Sequence, residues 1–308
     1  MINLFEFSLD NKRYHTLNYH YHQKYGKKTF KVSLNANFSC PNKVNGKGCI
    51  FCSKLGSGDF GGNKEKNLLE QFEDIKKVME RKWPDSYYIG YFQANTNTYA
   101  PVEILKEKYE KILNIPNVIG LNIATRSDAI TEKCLEYLAE LNKKTNLTIE
   151  LGLQSIHEKT LKLIKRGHDL KNFEECVKKL QDKGIDIVVH IINGLPGETK
   201  EDMIETVKYL NSLKINGIKI HMLHIIKDTE LEELYNATNF HVLTKEEYID
   251  IVITQLEHLN PNIVIHRITG DPDPKDLIEP KWLTKKFCVL NDIDKEMKKR
   301  DTYQGINI

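Results

Sequence analysis

The sequence predicts an α/β protein with a parallel sheet, in the form of a partial (β/α)6 TIM-like barrel followed by a C-terminal extension. Short β-branched runs alternate with longer amphipathic stretches along most of the chain. The connections between consecutive strands carry helices of ten or more residues, and such connections join parallel neighbours rather than hairpins. Six strands precede residue 228, whereas a closed barrel of this type needs eight strand and helix pairs. A partial barrel therefore fits the pattern better than a closed one.

Each element has a local signal. Leu68, Phe72, Ile75 and Met79 recur at helical spacing, and Pro84 follows them as a stop. Pro101 suits the first residue of the next helix. The predicted strands are residues 28–35, 87–93, 118–124, 147–153, 185–192 and 217–225, with one more at 262–268. The predicted helices are residues 67–82, 101–113, 131–142, 158–165, 172–183, 199–213, 230–235, 245–259 and 290–300. Residues 270–280 are rich in Pro and Asp and predict a loop.

The chain shows no internal repeat and no linker that would divide it into independent halves. We expect an N-terminal extension over residues 1–27, the partial barrel over residues 28–235, and a C-terminal extension over residues 236–308. The last segment is predicted to close the open side of the barrel. Oligomeric state cannot be predicted from these features.

Composition limits the classes of function. The 308 residues carry 45 Lys and Arg against 43 Asp and Glu, a formal net charge of +2, with 40% hydrophobic residues and a mean hydropathy of −0.48. This is too apolar and too weakly charged for a disordered chain, and no apolar run is long enough to span a membrane. The first residues do not resemble an export signal, so we expect a cytoplasmic protein. The balanced charge argues against a protein that mainly wraps nucleic-acid backbone.

Three of the six cysteines fall within thirteen residues. Eight residues separate Cys40 from Cys49, and two separate Cys49 from Cys52. A structural zinc site or a simple ferredoxin needs four ligands, so either would need a fourth from elsewhere in the chain. Three thiolates on a Gly-rich loop after the first strand instead suit a four-iron cluster with one iron open to another ligand. The isolated Cys134, Cys176 and Cys288 are expected to be small buried hydrophobes.

The other predicted strands also end in polar or Gly-containing sequence, which is where barrel enzymes place their active sites. The runs are Tyr-Phe-Gln-Ala-Asn-Thr-Asn-Thr-Tyr-Ala-Pro at 91–101, Ala-Thr-Arg-Ser-Asp at 124–128, Glu-Leu-Gly-Leu-Gln-Ser at 150–155, Arg-Gly-His at 166–168, Asn-Gly-Leu-Pro-Gly-Glu-Thr at 193–199 and His-Met-Leu-His-Ile-Ile-Lys-Asp-Thr at 221–229. Glu150, Gly152 and Gln154 share one strand face, because side chains alternate with a period of two. An acid and an amide inside a barrel need partners.

With the cysteine loop, these runs resemble the radical S-adenosylmethionine (SAM) superfamily, in the branches of the Elongator catalytic subunit and of oxygen-independent coproporphyrinogen oxidase. The Gln-x-x-Thr-Asn-Thr-Tyr-Ala-Pro run and the His-Arg-Ile-Thr-Gly-Asp run at 266–271 are similar to YhcC/YtqA-like proteins. The first cysteine gap is longer than the commonest gap of three residues. The second strand also lacks the Gly-Gly-Glu turn that is common in the superfamily.

This resemblance implies a set of site residues and cofactors. Cys40, Cys49 and Cys52 would hold a [4Fe-4S] cluster, and an external one-electron reductant of flavodoxin or ferredoxin type would reduce it so that SAM is cleaved to a 5′-deoxyadenosyl radical. The residues implied to contact SAM are Gln93, Thr96, Arg126, Glu150, Gln154, Arg166, Asn193, Gly194 and Leu223. His168 and Lys227 are the catalytic candidates.

Kinship with the Elongator subunit suggests a tRNA wobble uridine as substrate. Aromatic and basic residues interleave at Tyr19, His20, Tyr21, His22, Lys24, Tyr25, Lys27 and Lys28, and basic residues gather at Lys281, Lys285, Lys286, Lys298, Lys299 and Arg300. Such stretches can contact RNA, and they equally suit a solvated surface. Two other hypotheses remain open, a zinc-stabilised RNA-binding module and an iron–sulfur redox carrier without SAM chemistry.

Overall fold

A seven-stranded parallel sheet, curled into a half-barrel, forms the centre of the computed structural model, which describes residues 12–46, 48–53 and 61–308. The predicted fold class is confirmed. The strands, in chain order, are β1 (Thr29–Leu34), β2 (Tyr87–Phe92), β3 (Val118–Thr125), β4 (Asn146–Gln154), β5 (Asp186–Asn193), β6 (Gly217–Met222), β7 (Ile225–Ile226), β8 (Val264–Arg267) and β9 (Leu277–Glu279). The sheet has the order β1-β2-β3-β4-β5-β6-β8.

Helices connect the strands and cover the outer face of the sheet. They are α1 (Leu17–Tyr25), α2 (Pro41–Val44), α3 (Leu68–Lys82), α4 (Val102–Leu113), α5 (Glu132–Asn142), α6 (Glu158–Leu163), α7 (Leu170–Asp182), α8 (Lys200–Ser212), α9 (Glu230–Thr238), α10 (Lys245–Glu257) and α11 (Lys286–Lys299). Phe92, Tyr109 and Leu138 are among the fully buried side chains between the sheet and this layer. The predicted helices and strands agree with the observed ones to within a few residues at most ends.

Two stretches differ from the prediction. The strand expected over residues 217–225 ends at Met222, and β7 then pairs antiparallel with β9. Strand β9 lies inside the segment expected to be a loop, because Pro and Asp signals on both sides concealed three residues of extended chain. Strand β8 joins β6 in parallel and extends the sheet past six strands.

Helix α1 was not expected in the N-terminal extension. Its hydroxyl cap, Thr16, accepts a hydrogen bond from the Tyr19 amide, and Gly26 ends it in the left-handed region at φ 71°. The helix contacts both β1 and β8, the two edge strands of the open sheet, and Thr16 forms a parallel bridge with Ile265. The N-terminal segment therefore covers the gap between the edges.

The two ends of the described chain also meet. The side chain of Gln304 accepts a hydrogen bond from the His15 amide and donates to the carbonyls of Asn260 and Ile263. The Gln304 amide donates to the Arg13 carbonyl. Segments from both termini are thereby attached to the strand edge at β8.

The isolated cysteines behave in two ways. Cys134 and Cys176 are buried as expected, whereas Cys288 is exposed. The buried face of α11 is formed by Val289, Ile293 and Met297, and Cys288 lies off that face. Within the described part of the chain, no helix combines the length and the apolar character needed to cross a membrane.

Gly120 is a steric test of the sheet. A Cβ at this position would lie 2.5 Å from the backbone oxygen of Asn146 on the neighbouring strand, and backbone atoms cannot rotate away. We expect Gly120→Ala to lower the free energy of unfolding by about 1–3 kcal/mol. Gly46→Ala is the control, because its nearest contact would be an ordinary 3.4 Å. Denaturant midpoints measure both; equal midpoints for the two variants would contradict the register between β3 and β4.

Candidate functional site

A cavity of about 250 Å³ opens at the carboxyl ends of the strands, inside the half-barrel. Its wall includes Cys40, Cys49 and Cys52 from the loop after β1, and side chains from the ends or inner faces of the following strands. Parallel strands all present their carboxyl ends at the same edge, so residues far apart in sequence converge there. The cavity is therefore the candidate site.

The cysteine loop is held by its own backbone and by the segment after β4. Cys40 precedes the short helix α2, and the Cys52 amide donates to the Cys49 carbonyl at 3.0 Å. The Asn42 side chain donates to the Lys165 carbonyl at 2.8 Å. Gly48 has a φ of 88°, a conformation that favours glycine, and a Cβ there would lie 3.0 Å from the Lys43 side chain. These contacts fix the loop above the cavity.

The thiols of Cys49 and Cys52 interact directly. The hydrogen bond from Cys52 lowers the pKa of Cys49 to about 5, against the effect of burial, and the charges of Arg166 and Arg126 act in the same direction. The same hydrogen bond, followed by burial, raises the pKa of Cys52 well above its usual range. A thiolate is the form that binds metal, so this corner of the loop is prepared for ligation.

Two buried arginines stand beside the loop. Arg166 lies with its Nη1 3.9 Å from the Cys49 sulfur, and its Nη2 donates to the Gly152 carbonyl. Arg126 forms a two-point ion pair with Asp128, at 2.8 and 2.7 Å. Each guanidinium keeps one buried nitrogen without a partner, Nη1 of Arg126 and Nε of Arg166. Unpaired buried donors are costly, so both nitrogens favour an anionic ligand in the cavity.

Strand β4 contributes the polar residues expected from its sequence, with an irregular end. The register between β4 and β5 shifts between Gly152 and Gln154, and Gln154 has a φ of 78°. Positive φ in a residue other than glycine is uncommon and concentrates at functional sites. A Cβ at Gly152 would lie 2.9 Å from Arg166 Nη2, so the guanidinium can occupy this position only because residue 152 is a glycine.

Glu150 lies deeper, in a buried ionic cluster. Its carboxylate is fully buried and accepts hydrogen bonds from Lys31, Asn122 and His190, each at 2.8 Å, and from Lys219. Burial alone would raise the pKa of Glu150, but the charges of Lys219 and Lys31 and the hydrogen bond from His190 outweigh it and hold the pKa well below its usual range. Burial lowers the pKa of Lys219 to about 7 and that of His190 to about 4.

The structure brings most of the predicted site residues together. Besides the three cysteines, seven of the predicted residues line the cavity, namely Gln93, Thr96, Arg126, Glu150, Gln154, Arg166 and Leu223. Both oxygens of Glu150 are occupied by protein donors. The partners that this buried carboxylate needs are therefore supplied by the protein, as two lysines, a histidine and an asparagine.

Four predicted residues lie outside the cavity wall. The Asn193 amide exchanges hydrogen bonds with the side chain of Gln255 on α10, and Gly194 faces Leu243. His168 has its Nδ1 3.3 Å from the Ser127 hydroxyl, and burial lowers its pKa to about 3. Lys227 is exposed and donates to the Lys275 carbonyl at 2.7 Å.

Sequence reasoning missed the inner charged residues Lys31, Lys219 and Arg267, together with Tyr91 and His221. All but Lys31 line the cavity wall. A signal was present, because Lys219 stands between Ile218 and Ile220 in a short strand whose only other polar side chain is His221. A lysine flanked by two isoleucines in a strand buried on both faces must find a partner inside the sheet.

The cysteines suit a ligand larger than one ion. Among the residues that the structure describes, one set of His, Cys and carboxylate ligands converges within 4.8 Å, and it is His157, Asp202 and Glu205 rather than the cysteines. The three sulfurs line one cavity with two arginines beside them, and this set of donors suits the irons of a cluster.

Comparison with known proteins agrees with this geometry. Residues 39–210 match the model of the radical SAM superfamily, and residues 215–299 match its C-terminal domain. The chain is 48% identical to YtqA of Bacillus subtilis over 306 residues, covering 98% of this chain and 95% of that protein. The predicted kinship with YhcC/YtqA-like proteins is confirmed.

Two more distant similarities are to a tRNA uridine(34) acetyltransferase and to a solved structure of Elp3. A tRNA uridine(34) acetyltransferase of Methanocaldococcus infernus is 30% identical over 137 residues, which is 44% of this chain and 25% of that protein. The solved structure of Elp3 from the same archaeon superposes with a TM-score of 0.68 at 19% identity, covering 90% of this chain and 64% of that one, and shows the fold alone. The two family models and the almost complete match to YtqA show that the chain belongs to the radical SAM superfamily, whose enzymes use a [4Fe-4S] cluster and SAM.

Proposed function

We propose that this chain is a radical SAM enzyme in which Cys40, Cys49 and Cys52 hold the cluster and the cavity below them binds SAM. When bound, the cluster supplies the electron that cleaves SAM reductively to a 5′-deoxyadenosyl radical. The observation that carries the proposal is the convergence of three cysteines and two incompletely paired arginines on one cavity. Enzymes of this superfamily generally need an external reductant, and we assign this chain a one-electron donor of flavodoxin or ferredoxin type.

The arginines give the methionyl end of SAM its place. Arg166 lies against Cys49 and is held by the Gly152 carbonyl, so its remaining donors can pair with the SAM carboxylate. Asp128 orients Arg126 toward the same corner. Both arginines are buried, and an ionic contact in such a poorly hydrated place is stronger than one in bulk water.

Other cavity residues suit the nucleoside end. Leu223 offers an apolar surface, Gln154 offers an amide at the irregular end of β4, and Thr96 and Gln93 follow β2. The Thr96 amide is already engaged with the Ser39 carbonyl, which ties this turn to the cysteine loop. These side chains orient the cofactor; the radical chemistry belongs to the cofactors.

The proposed substrate is a wobble uridine of tRNA, in the cytoplasm. The partial similarity to a tRNA uridine(34) acetyltransferase supports it. The stretch of aromatic and basic residues between positions 19 and 28 gives weaker support for an RNA contact. Tyr21 is buried, and Lys27 pairs with Asp85 at 2.8 Å, so these two side chains do not present themselves to RNA. His22 and Lys24 are the exposed members of that stretch.

Cleavage of SAM tests the enzyme class. Anaerobically reconstituted protein, once reduced, is expected to convert SAM to 5′-deoxyadenosine, and Cys49→Ala is expected to abolish this conversion and the iron–sulfur absorbance. Cys288→Ala is the control, since Cys288 is exposed and lies outside the cavity. Stoichiometric zinc without iron would identify the zinc-stabilised module instead. A coloured protein that leaves SAM intact would identify the redox carrier.

Binding of SAM tests the role of Arg166. Loss of a charge-assisted hydrogen bond costs about 1.5–3 kcal/mol, so Arg166→Gln is expected to raise the Kd for SAM about 10- to 150-fold. Arg81→Gln, which removes an exposed guanidinium on α3, should leave the Kd unchanged. Iron content is measured in parallel, because Arg166 also contacts Cys49. An unchanged Kd in Arg166→Gln at full iron content would contradict the assignment.

Nucleoside analysis tests the substrate. Total tRNA from cells lacking the gene is expected to differ from wild-type tRNA in one modified wobble uridine, because the side chain on that base would no longer be processed. Complementation with the wild-type chain should restore the pattern, and complementation with Cys49→Ala should not. Identical nucleoside profiles in all strains would exclude tRNA as the substrate.

A further inference from the structure

The wall of the cavity has an excess of positive charge at its deep end. Lys219 and Arg267 line the cavity there, and Lys31, which is not part of the wall, donates to Glu150 as Lys219 does. Glu150 is the carboxylate within this group. Asp271 also lines the cavity, but it pairs with Lys286. This group therefore holds three basic side chains and one carboxylate.

Lys31 and Lys219 both donate to Glu150 but differ in their other contacts. Lys31 is engaged by Glu150 at 2.8 Å and by His266 Nδ1 at 2.9 Å. Lys219 donates to Glu150 and to the Tyr91 hydroxyl at 2.8 Å, and its ammonium group lies 4.3 Å from the centre of the Tyr91 ring. Two of its three N–H bonds are accounted for in this way. The third is available to a group in the cavity.

Arg267 is the cation without a protein partner. It ends β8 and is half-buried in the cavity wall, and among the described residues no hydrogen bond or ion pair engages its guanidinium. Its charge acts to lower the pKa of Lys219 and of Lys31, so it lies close to both. A half-buried guanidinium beside other cations is unfavourable unless an anion joins it.

Of the two neighbouring histidines, one can add a donor without adding charge. His190 and His221 line the same end of the cavity, with their ring centres 5.2 Å apart. Burial lowers the pKa of both rings, to about 4 for His190 and well below the usual range for His221. A neutral imidazole carries one N–H, and that of His190 is donated to Glu150. His221 is therefore the ring that can donate to an oxyanion while the lysine and arginine neutralise it.

We infer that the deep end of the cavity is a subsite for an anionic group of the substrate, a carboxylate or a phosphate, held by Arg267 and Lys219. Glu150 holds Lys219 in the cavity wall through their hydrogen bond. The inference rests on the proposed function in one respect, which is that the anion belongs to the molecule attacked by the radical. Acetate and inorganic phosphate are the probes that separate the two oxyanions.

The test is ligand-induced stabilisation of the anaerobic, reconstituted protein with SAM present. The unfolding temperature is followed against acetate, inorganic phosphate, neutral acetamide and chloride at equal ionic strength. One of the two oxyanions is expected to stabilise the protein saturably, and acetamide and chloride are not. If acetamide or chloride stabilised the wild-type protein as much as the oxyanions do, the inference would be overturned without any variant.

Variants locate the site. Arg267→Gln is expected to weaken oxyanion binding at least about tenfold, Arg267→Lys to keep part of it, and Arg81→Gln to keep all of it. Unchanged binding in Arg267→Gln overturns the inference. If Arg267→Gln does not fold, Arg267→Lys is compared with the wild type instead. The inference then requires this variant to change the ratio of the affinities for acetate and phosphate, and an unchanged ratio overturns it.

The outcome is separable from that of the proposed function. Oxyanion binding without SAM cleavage would leave the subsite in place and refute the enzyme class. Cleavage of SAM to 5′-deoxyadenosine without oxyanion binding would refute the subsite alone.

Discussion

The interior of this half-barrel depends on one buried carboxylate. Glu150 on β4 receives donors from Lys31 on β1, Asn122 on β3, His190 on β5 and Lys219 on β6, so a single group joins the inner faces of five strands. Breaking such a buried pair from one side costs about 3–5 kcal/mol, since it leaves uncompensated charge. A closed barrel fills this space with layers of apolar side chains. Here the charges keep it polar and open, which leaves room for a cofactor and a substrate above them.

Much of the fold follows from local periodicity. Helix α3 can be predicted from its amphipathic spacing and from the capping box at Asn67 and Glu70. The apolar runs of β3 to β5 also predict strands. The cysteine spacing and the alternation of Glu150, Gly152 and Gln154 likewise point to one edge and one face. These are features in which a short stretch of sequence carries its own geometry.

Other features need the assembled sheet. Whether Lys31 points inward depends on register across β1 and β2, and Arg267 reaches the cavity only because β8 joins β6. Asn193 lies at a strand end as expected, yet its side-chain amide is hydrogen-bonded to Gln255, which is 62 residues away in the sequence. Helix α1 gave a weak signal because its apolar and polar residues are nearly uniform around the axis, and its contacts are with strands at both ends of the chain.

The bridge between Thr16 and Ile265 makes the seam of the half-barrel a contact between two segments that are far apart in the sequence. While the ribosome is still producing the middle of the chain, the first strand has an uncovered edge, and exposed edges are where strands of other molecules add. Pairings this distant form late, because a long loop must close before they stabilise anything. The nascent chain therefore carries this open seam until the segment around Ile265 has been made and can pair with Thr16.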